Sequence, residues 1–593
     1  MLTTLTAPAF AGTWYIEDGD ITISAGESGN NVTQNENTTE NDPDTIITNR
    51  EEDKASSNTV TIDANGKNDK VEVTLKDVNI DASRGSEAAV SVTGKGDTTI
   101  ELDGDNELKS GAGHAGLEHN KTDTSGELTI QDKDNNGSLE AAGGFKGAGI
   151  GSAGSNDAQV KITGGNITAT TSDDWGAGIG SGSYGTGTVE ITGGEINATG
   201  GYLGAGIGGG CNGSGNVTIS GGTITAAGSD GAAGIGGGYY NGATVTITGD
   251  AVIKNASSTK YGAGIGGGNG SDGNVTISGN AKIENATGGY GAAGIGGGAF
   301  SSPDKIGNGN VVIKDNAKID NVQGGAYGAG IGGGIYGLSN VTIEGNTKVN
   351  ATGGAGGAAI GGGAGAENNS DNNGNQITIK SNENGSPTIN AVGGGTDEGE
   401  KIVIGGAGIG AGCESDADAD ITLEGKVTIT ATAGKDNVAI GANGIEQEFS
   451  GLAEGSSITR YDSEGNDITL PTDPVPAVPS SSGGSSADAS VQESVFPGLV
   501  VTDKDGQRIS YTSIRDNNVL SLRVGRFTAS LRASLATLRQ LRAEGIDTIT
   551  FQTILRSTSL SVDELLAMGG EDTEVVLTHH IRSSTLTVGG KAV

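Results

Sequence analysis

The sequence predicts an all-β fold: a right-handed parallel β-helix of about ten or more coils, followed by a small α+β domain. Three observations predict it. First, a glycine- and alanine-rich phrase closing on Ile-Gly recurs with its isoleucine at Ile150, Ile179, Ile207, Ile235, Ile265, Ile295, Ile331, Ile360, Ile409 and Ile440. Most steps are 28 to 31 residues and two are longer, 36 and 49, which is the period of a stacked repeat. Second, two further apolar beats lie between successive isoleucines. After Ile207 come Val217 with Ile219 and then Ile224 with Ala226, each pair two residues apart and so on one face of a strand. The later units repeat this with Val245/Ile247 and Val252, then Val275/Ile277 and Ile283. Third, glycine, asparagine and aspartate cluster between beats, where a coil must turn. One coil has too little apolar surface to bury alone, but a stack shares one thin aliphatic core.

The elements follow in chain order. Residues 1–11 read as the remnant of a secretory signal, short and apolar, with Ala9-Phe10-Ala11 fitting a small-x-small cleavage site. Residues 12–146 alternate at period two in TVTID, VEVTLKDVNI, AVSV and TTIEL but lack the glycine phrase. They read as opening coils and a cap, because an open sheet edge invites aggregation. Residues 147–470 are the regular coils. The glycines after each isoleucine suit a tight corner with positive φ. Residues 471–495 are a Pro/Ser/Gly linker. Beyond it lies a small α+β module, 496–593, that holds nine of the twelve arginines. Phe527, Leu531, Leu535, Leu538 and Leu541 share a helical face there. IDTITFQTIL reads as a strand, Ser561 with Glu564 as a capping box, and TEVVLTH with STLTV as a closing hairpin.

Composition narrows the function. A formal net charge of -37 repels phosphate backbones, so no nucleic-acid partner is expected, and it attracts cations such as Ca²⁺. No stretch approaches the roughly 18 apolar residues of a membrane span. Cys211 and Cys413 each follow their repeat isoleucine by four residues. They therefore occupy one corner of coils at least six apart, roughly 29 Å at about 4.8 Å per coil, and should be free thiols.

Eleven aromatic residues lie between residues 140 and 445, and each is within five residues of a repeat isoleucine. Phe145, Trp175, Tyr202, Tyr261, Tyr290 and Tyr327 precede it; Tyr184, Tyr239, Tyr240, Phe300 and Tyr336 follow it. Stacking should turn them into two columns flanking a low floor of glycine. Rings along a shallow groove suit the apolar faces of sugars; the alternative is ring-on-ring stacking that only stiffens the corner. Two acidic clusters are candidates for Ca²⁺: Asp416, Asp418 and Asp420 in ESDADAD, and Asp132, Asp134 and Asn136 in DKDNNG. The second carries the first half of a calcium-loop pattern without its closing glutamate.

Catalysis has weaker support. Hydrolysis of a glycosidic bond needs two flanking carboxylates. Asp173-Asp174 beside Trp175 is the best pair, with no second acid placed, and residues 147–445 contain no arginine for a lyase. Thr218, Thr246, Thr276, Thr342 and Thr378 form an outward column, but one threonine per coil matches ice poorly.

The repeat GAGIGGG…NVTISGG…I, preceded by TVTIDANGKNDKVEVTLKDVNIDASRGSEAAVSVTGKGDTTIELDGDNELKSG, resembles the bacterial cell-surface carbohydrate-binding parallel β-helix proteins, the GAGIG-repeat surface proteins of anaerobic Firmicutes. The likeness covers roughly residues 12 to 445. It implies a right-handed β-helix, Ca²⁺ sites and binding of plant polysaccharide such as acidic pectin. No ligand residue of that family maps onto a position here. The expectation is a secreted or cell-surface, non-catalytic glycan-binding or adhesive protein. The alternatives are a polysaccharide lyase or hydrolase on a β-helix, and a structural surface spacer. LPTDP at 470–474 lacks the threonine-glycine step of a sortase anchor.

Overall fold

The computed structural model describes residues 12–51, 54–171, 175–299, 302, 305–367, 374–397, 404–470, 498–503, 508–509, 511–516, 518–524, 528–553, 556–570, 573–580 and 583–592. The expected signal remnant and linker, and Phe300, Asp173, Asp174 and Phe527, lie outside them. The chain forms two compact units, a long one ending before residue 473 and a C-terminal one after it.

The long unit is a β-solenoid of about 16 turns. Three parallel ladders run its length, one for each apolar beat. In the first, Ile-Gly pairs stack without slip: Ile150 on Ile179, Ile179 on Ile207, and so on through Ile409 on Ile440. The second joins strands such as Gly187–Ile191, Gly215–Ile219 and Ala243–Ile247, with Val189, Val217 and Val245 in register. The third joins Asn166–Thr171, Glu195–Thr199 and Thr223–Gly228 through Ile167, Ile196 and Ile224. Alternation sends these residues inward, where all ten repeat isoleucines are buried in one continuous core from Ile16 to Ile458. In the strand Val252–Ser258 the inward residue is Ile253, not the expected Val252. A bulge after Ile253 admits one extra residue and Ala256 returns to the core. The threonine column is in register and outward, with Val312 standing between Thr276 and Thr342.

The glycine after each repeat isoleucine has φ between +131° at Gly208 and +146° at Gly441. Sterics demand glycine here twice over. The φ disfavours any Cβ, and a Cβ built on Gly151, Gly180 or Gly266 would land on the carbonyl oxygen of its equivalent in the next coil. The opening coil is covered by an antiparallel meander, Ile21–Ala25, Asn30–Gln34 and Asn37–Asp42. Its outer strand is polar and exposed, which blunts the edge. At the other end Phe449, Leu452 and Ile468 pack on the core.

The C-terminal unit has its own core, Leu499 to Val588. It contains a five-stranded antiparallel sheet, a four-stranded sheet and two short helices. The helix expected from residue 527 begins only at Leu535: Leu531 lies in the strand Ala529–Ser534, paired with Glu574–His579. Ser534 ends the strand and caps the helix Leu535–Ala543, its hydroxyl accepting from Thr537 N–H at 3.1 Å. Ser561 caps Val562–Leu566 as expected, and Glu574–His579 with Ser584–Val588 forms the closing hairpin. No helix among the described residues is long and apolar enough to cross a membrane.

Candidate functional site: an aromatic ridge

At each glycine corner the chain dips to the core and returns. The residue two before the isoleucine donates to the carbonyl two after it, as from Ala263 to Gly267 at 2.9 Å. The mouth of the dip is stitched to the previous coil. Cys211 N–H donates to Trp175 O at 2.7 Å, Ala299 N–H to Tyr261 O at 2.8 Å and Ala364 N–H to Tyr327 O at 2.8 Å. In each case the residue four after one isoleucine meets the residue four before the isoleucine of the coil beneath. The shoulders that carry the two aromatic columns therefore lie side by side. Gly208, Gly209 and Gly210 and their equivalents are buried beneath them. The open glycine floor expected from the sequence is inside the molecule, and the columns merge into one ridge.

Ring contacts follow the merger. Trp175 touches Phe145 at 5.9 Å between centroids and, across the two columns, Tyr184 at 6.5 Å. Tyr239 and Tyr240 lie 3.7 Å apart. Tyr261, Tyr290 and Tyr327 stack edge to face at 6.3 and 5.7 Å. This segment makes a stiffening contact rather than a flat platform. Two lysines absent from the expected site cap ring faces. Lys146 Nζ lies 5.2 Å from the Phe145 centroid and 5.3 Å from that of Trp175, and Lys305 Nζ lies 4.1 Å from that of Tyr240. Tyr184, Tyr202 and Phe145 are the most open rings, 56%, 48% and 43% exposed, with Tyr290 and Tyr336 at 42%. Seven large apolar side chains are exposed among the described residues, and all but Met568 are on this ridge.

Tyr184, Tyr240 and Tyr336, each five after an isoleucine, have φ of +65°, +62° and +62°; the same position holds Gly270 and Gly365 at +68° and +70°. From residue 202 to 365 the only charged residues within five of a repeat isoleucine are Asp230 and Lys260, and they pair at 2.6 Å. Over that stretch the corner segments carry no net charge of their own in a chain of net charge -37, and the charges that reach the rings are the lysines Lys146 and Lys305.

Asp132 and Asp134 converge with Glu101, one coil beneath, their ligand atoms within 4.8 Å of one another. The signal for Glu101 was the coil period, since it pairs with Gln131 in the ladder. Asn136 hydrogen-bonds Asp132 through its N–H at 3.2 Å and Asp134 through its amide at 3.2 Å. Three carboxylates with an amide are the oxygen donors Ca²⁺ takes. Their charge is partly met already, because Lys133 Nζ lies 3.3 Å from Glu101 and 2.6 Å from Glu72. Asp416, Asp418 and Asp420 all point to solvent and are not brought together as a ligand set among the described residues.

Glu118 stands in the register that the next coil gives to Gly151. It is buried, accepting from Ala115 N–H and Asn120 and facing His114 Nδ1 at 2.8 Å. These partners lock it in the corner. The two cysteines are free and buried, and burial pushes their thiols up to about 11 at Cys211 and about 12 at Cys413.

A family model described as Beta helix repeat matches residues 160–183, 189–211, 217–239 and 275–299. Comparison with curated proteins and with solved structures finds no match.

Proposed function

We propose that this beta helix repeat protein is a non-catalytic, glycan-binding or adhesive protein, secreted or held at a bacterial cell surface, and that it engages polysaccharide along the aromatic ridge. The observation that carries the reading is the confinement of exposed rings to one line of the solenoid. Four of its tyrosines, Tyr184, Tyr240, Tyr327 and Tyr336, hold a backbone conformation that would relax with glycine. At Tyr184 and Tyr336 the strained residue is also an exposed ring, which supports a role for those two rings, although Ser155, Asn212 and Glu414 hold the same conformation in other coils. Rings of successive coils, 5.7 to 6.3 Å apart where they touch, would meet apolar sugar faces, and the neighbouring backbone and asparagines would meet hydroxyls.

Retention of the full chain on immobilised neutral and acidic plant polysaccharides tests this. Replacing Tyr184, Tyr202 and Tyr336 together by alanine should weaken retention about tenfold or more without lowering the melting temperature. Unchanged retention would overturn the ridge as the binding surface. Release of sugar products from the same polysaccharides would replace the binding role with an enzymatic one.

Ca²⁺ is proposed as an accessory ion at Glu101, Asp132 and Asp134. It would have to displace Lys133, so Lys133→Met should enlarge the rise in melting temperature on adding Ca²⁺. Equal responses in both proteins would remove Ca²⁺ from this site.

A further inference from the structure

Asp42 ends the outer strand of the meander that covers the opening coil, and it is 3% exposed. Its carboxylate is held by neutral donors. Gly12 N–H reaches Oδ1 at 2.8 Å, and Trp14 Nε1–H and the Thr45 hydroxyl reach Oδ2 at 2.9 and 3.0 Å. Asp44 N–H stands 3.5 Å from Oδ1. No side-chain cation among the described residues pairs with it. Glu40 and Asp44 flank it in sequence and add charge of the same sign. A carboxylate taken out of water keeps a desolvation cost that an opposite charge in contact offsets.

Gly12 is placed to supply that charge. Its nitrogen already lies on Oδ1. Its carbonyl accepts from Ile46 N–H at 2.9 Å, which fixes it at the head of the ladder that pairs Thr13–Tyr15 with Thr45–Thr48. Only glycine fits here, because a Cβ would press on the Asp42 carboxylate and the Trp14 indole nitrogen. The small-x-small pattern Ala9-Phe10-Ala11 ends at the bond to this same nitrogen. As an amide the nitrogen brings one N–H and no charge. As the first nitrogen of a cut chain it is an ammonium at neutral pH.

We propose that hydrolysis of the Ala11–Gly12 peptide bond completes this cap, and that the new α-ammonium of Gly12 becomes the buried partner of Asp42. The reactants are the peptide bond and water, on a secretory peptidase. The C–N bond breaks; water's oxygen goes to Ala11, which leaves as a carboxylate, and both its hydrogens go to the Gly12 nitrogen. Removal of the leader and closure of the solenoid's open end are then one event. The proposal rests on the secreted reading of the chain and is independent of the aromatic ridge.

The test compares two forms of the protein, one keeping residues 1–11 and one released at Gly12 with a free amine, each with and without Asp42→Asn. Hydrogen exchange of the strands Ile21–Ala25 and Asn30–Gln34 is the readout. Their amides should exchange at least about tenfold more slowly in the released form. Asp42→Asn should erase the difference, speeding exchange in the released form while leaving the uncut form unchanged or slower. Acetylation of the Gly12 amine in the released form should restore the faster exchange without any substitution. Equal protection in both forms, or the same loss in both on Asp42→Asn, would overturn the ion pair. In a second arm the chain is expressed in a bacterium with a basic n-region joined to Leu2, and the mature protein is sequenced from its N-terminus. Gly-Thr-Trp is the expected start. A different start would overturn the cleavage site and leave the secreted reading standing; an uncut chain kept inside the cell would overturn both.

Discussion

Tyr184 and Gly266 sit in equivalent corners three coils apart and obey opposite rules. Left-handed φ costs a residue with a Cβ about 1–2 kcal/mol. At Tyr184 the cost is carried by an exposed residue whose ring reaches Trp175. Tyr184→Gly should therefore leave the melting temperature equal or raised while glycan retention falls; a drop of several degrees would assign the ring to stability instead. At Gly266 there is no such freedom, because a Cβ would strike Gly296 O and an L-residue would be strained besides. Gly266→Ala should cost at least about 2 kcal/mol, read as a lowered denaturation midpoint. The cysteines give a third residue-scale check. With both thiols pushed up by burial, the native protein at pH 8 should resist iodoacetamide and take up two equivalents once unfolded. The repeat isoleucines were legible in sequence because volume and period together leave one inward register. The left-handed φ of Tyr184 was not, since its residue type argues against it and the adjoining coils hold Ser155 and Asn212 there, with glycine only at Gly270 and Gly365 in more distant coils.

Elements were legible where one periodicity ruled. The three ladders follow from paired beats such as Val217/Ile219 and Ile224/Ala226. The bulge after Ile253 leaves no trace in composition, so Val252 looked as suitable as its neighbour. Leu531 and Leu535 satisfy both a four-residue and a two-residue spacing; strand pairing with Leu577 decided for Leu531, and the Ser534 cap decided for Leu535. The ridge was legible as a distribution of rings but not as a shape, because the stitching that buries the glycine floor is made by backbone groups. Two strands also carry buried histidines. His119 faces Gln159 O, and His579 lies between the Thr553 and Thr558 hydroxyls. Burial holds both below the ordinary value of about 6.5, with Arg556 adding to the effect at His579. A base with a lowered folded value is bound neutral, so its contribution is full above about pH 6.5 and is lost as pH falls through that value. Thermal melts should lose stability from about pH 7 to 5.5, and His579→Gln should flatten that slope for the C-terminal unit; an unchanged slope would clear His579 of the effect.

At the scale of the molecule, charge and sharing matter most. The net charge of -37 is carried almost wholly outside the C-terminal module, where 11 basic and 10 acidic residues nearly cancel. The coils therefore repel themselves, and added salt should raise the melting temperature of the solenoid while leaving the C-terminal unit nearly unmoved. The two units have separate cores, so the two responses can be followed in one scan.

Every coil from Ile179 to Ile409 greets its neighbours in the same way, with an Ile-Gly rung above and an Ile-Gly rung below. Removing or duplicating a whole coil would leave each remaining rung with a partner. The number of rungs is therefore a dial that gene duplication can turn in steps of about 4.8 Å without redesigning a single contact. What such a dial adjusts is reach: how far a surface projects, and how many rings it offers in a row.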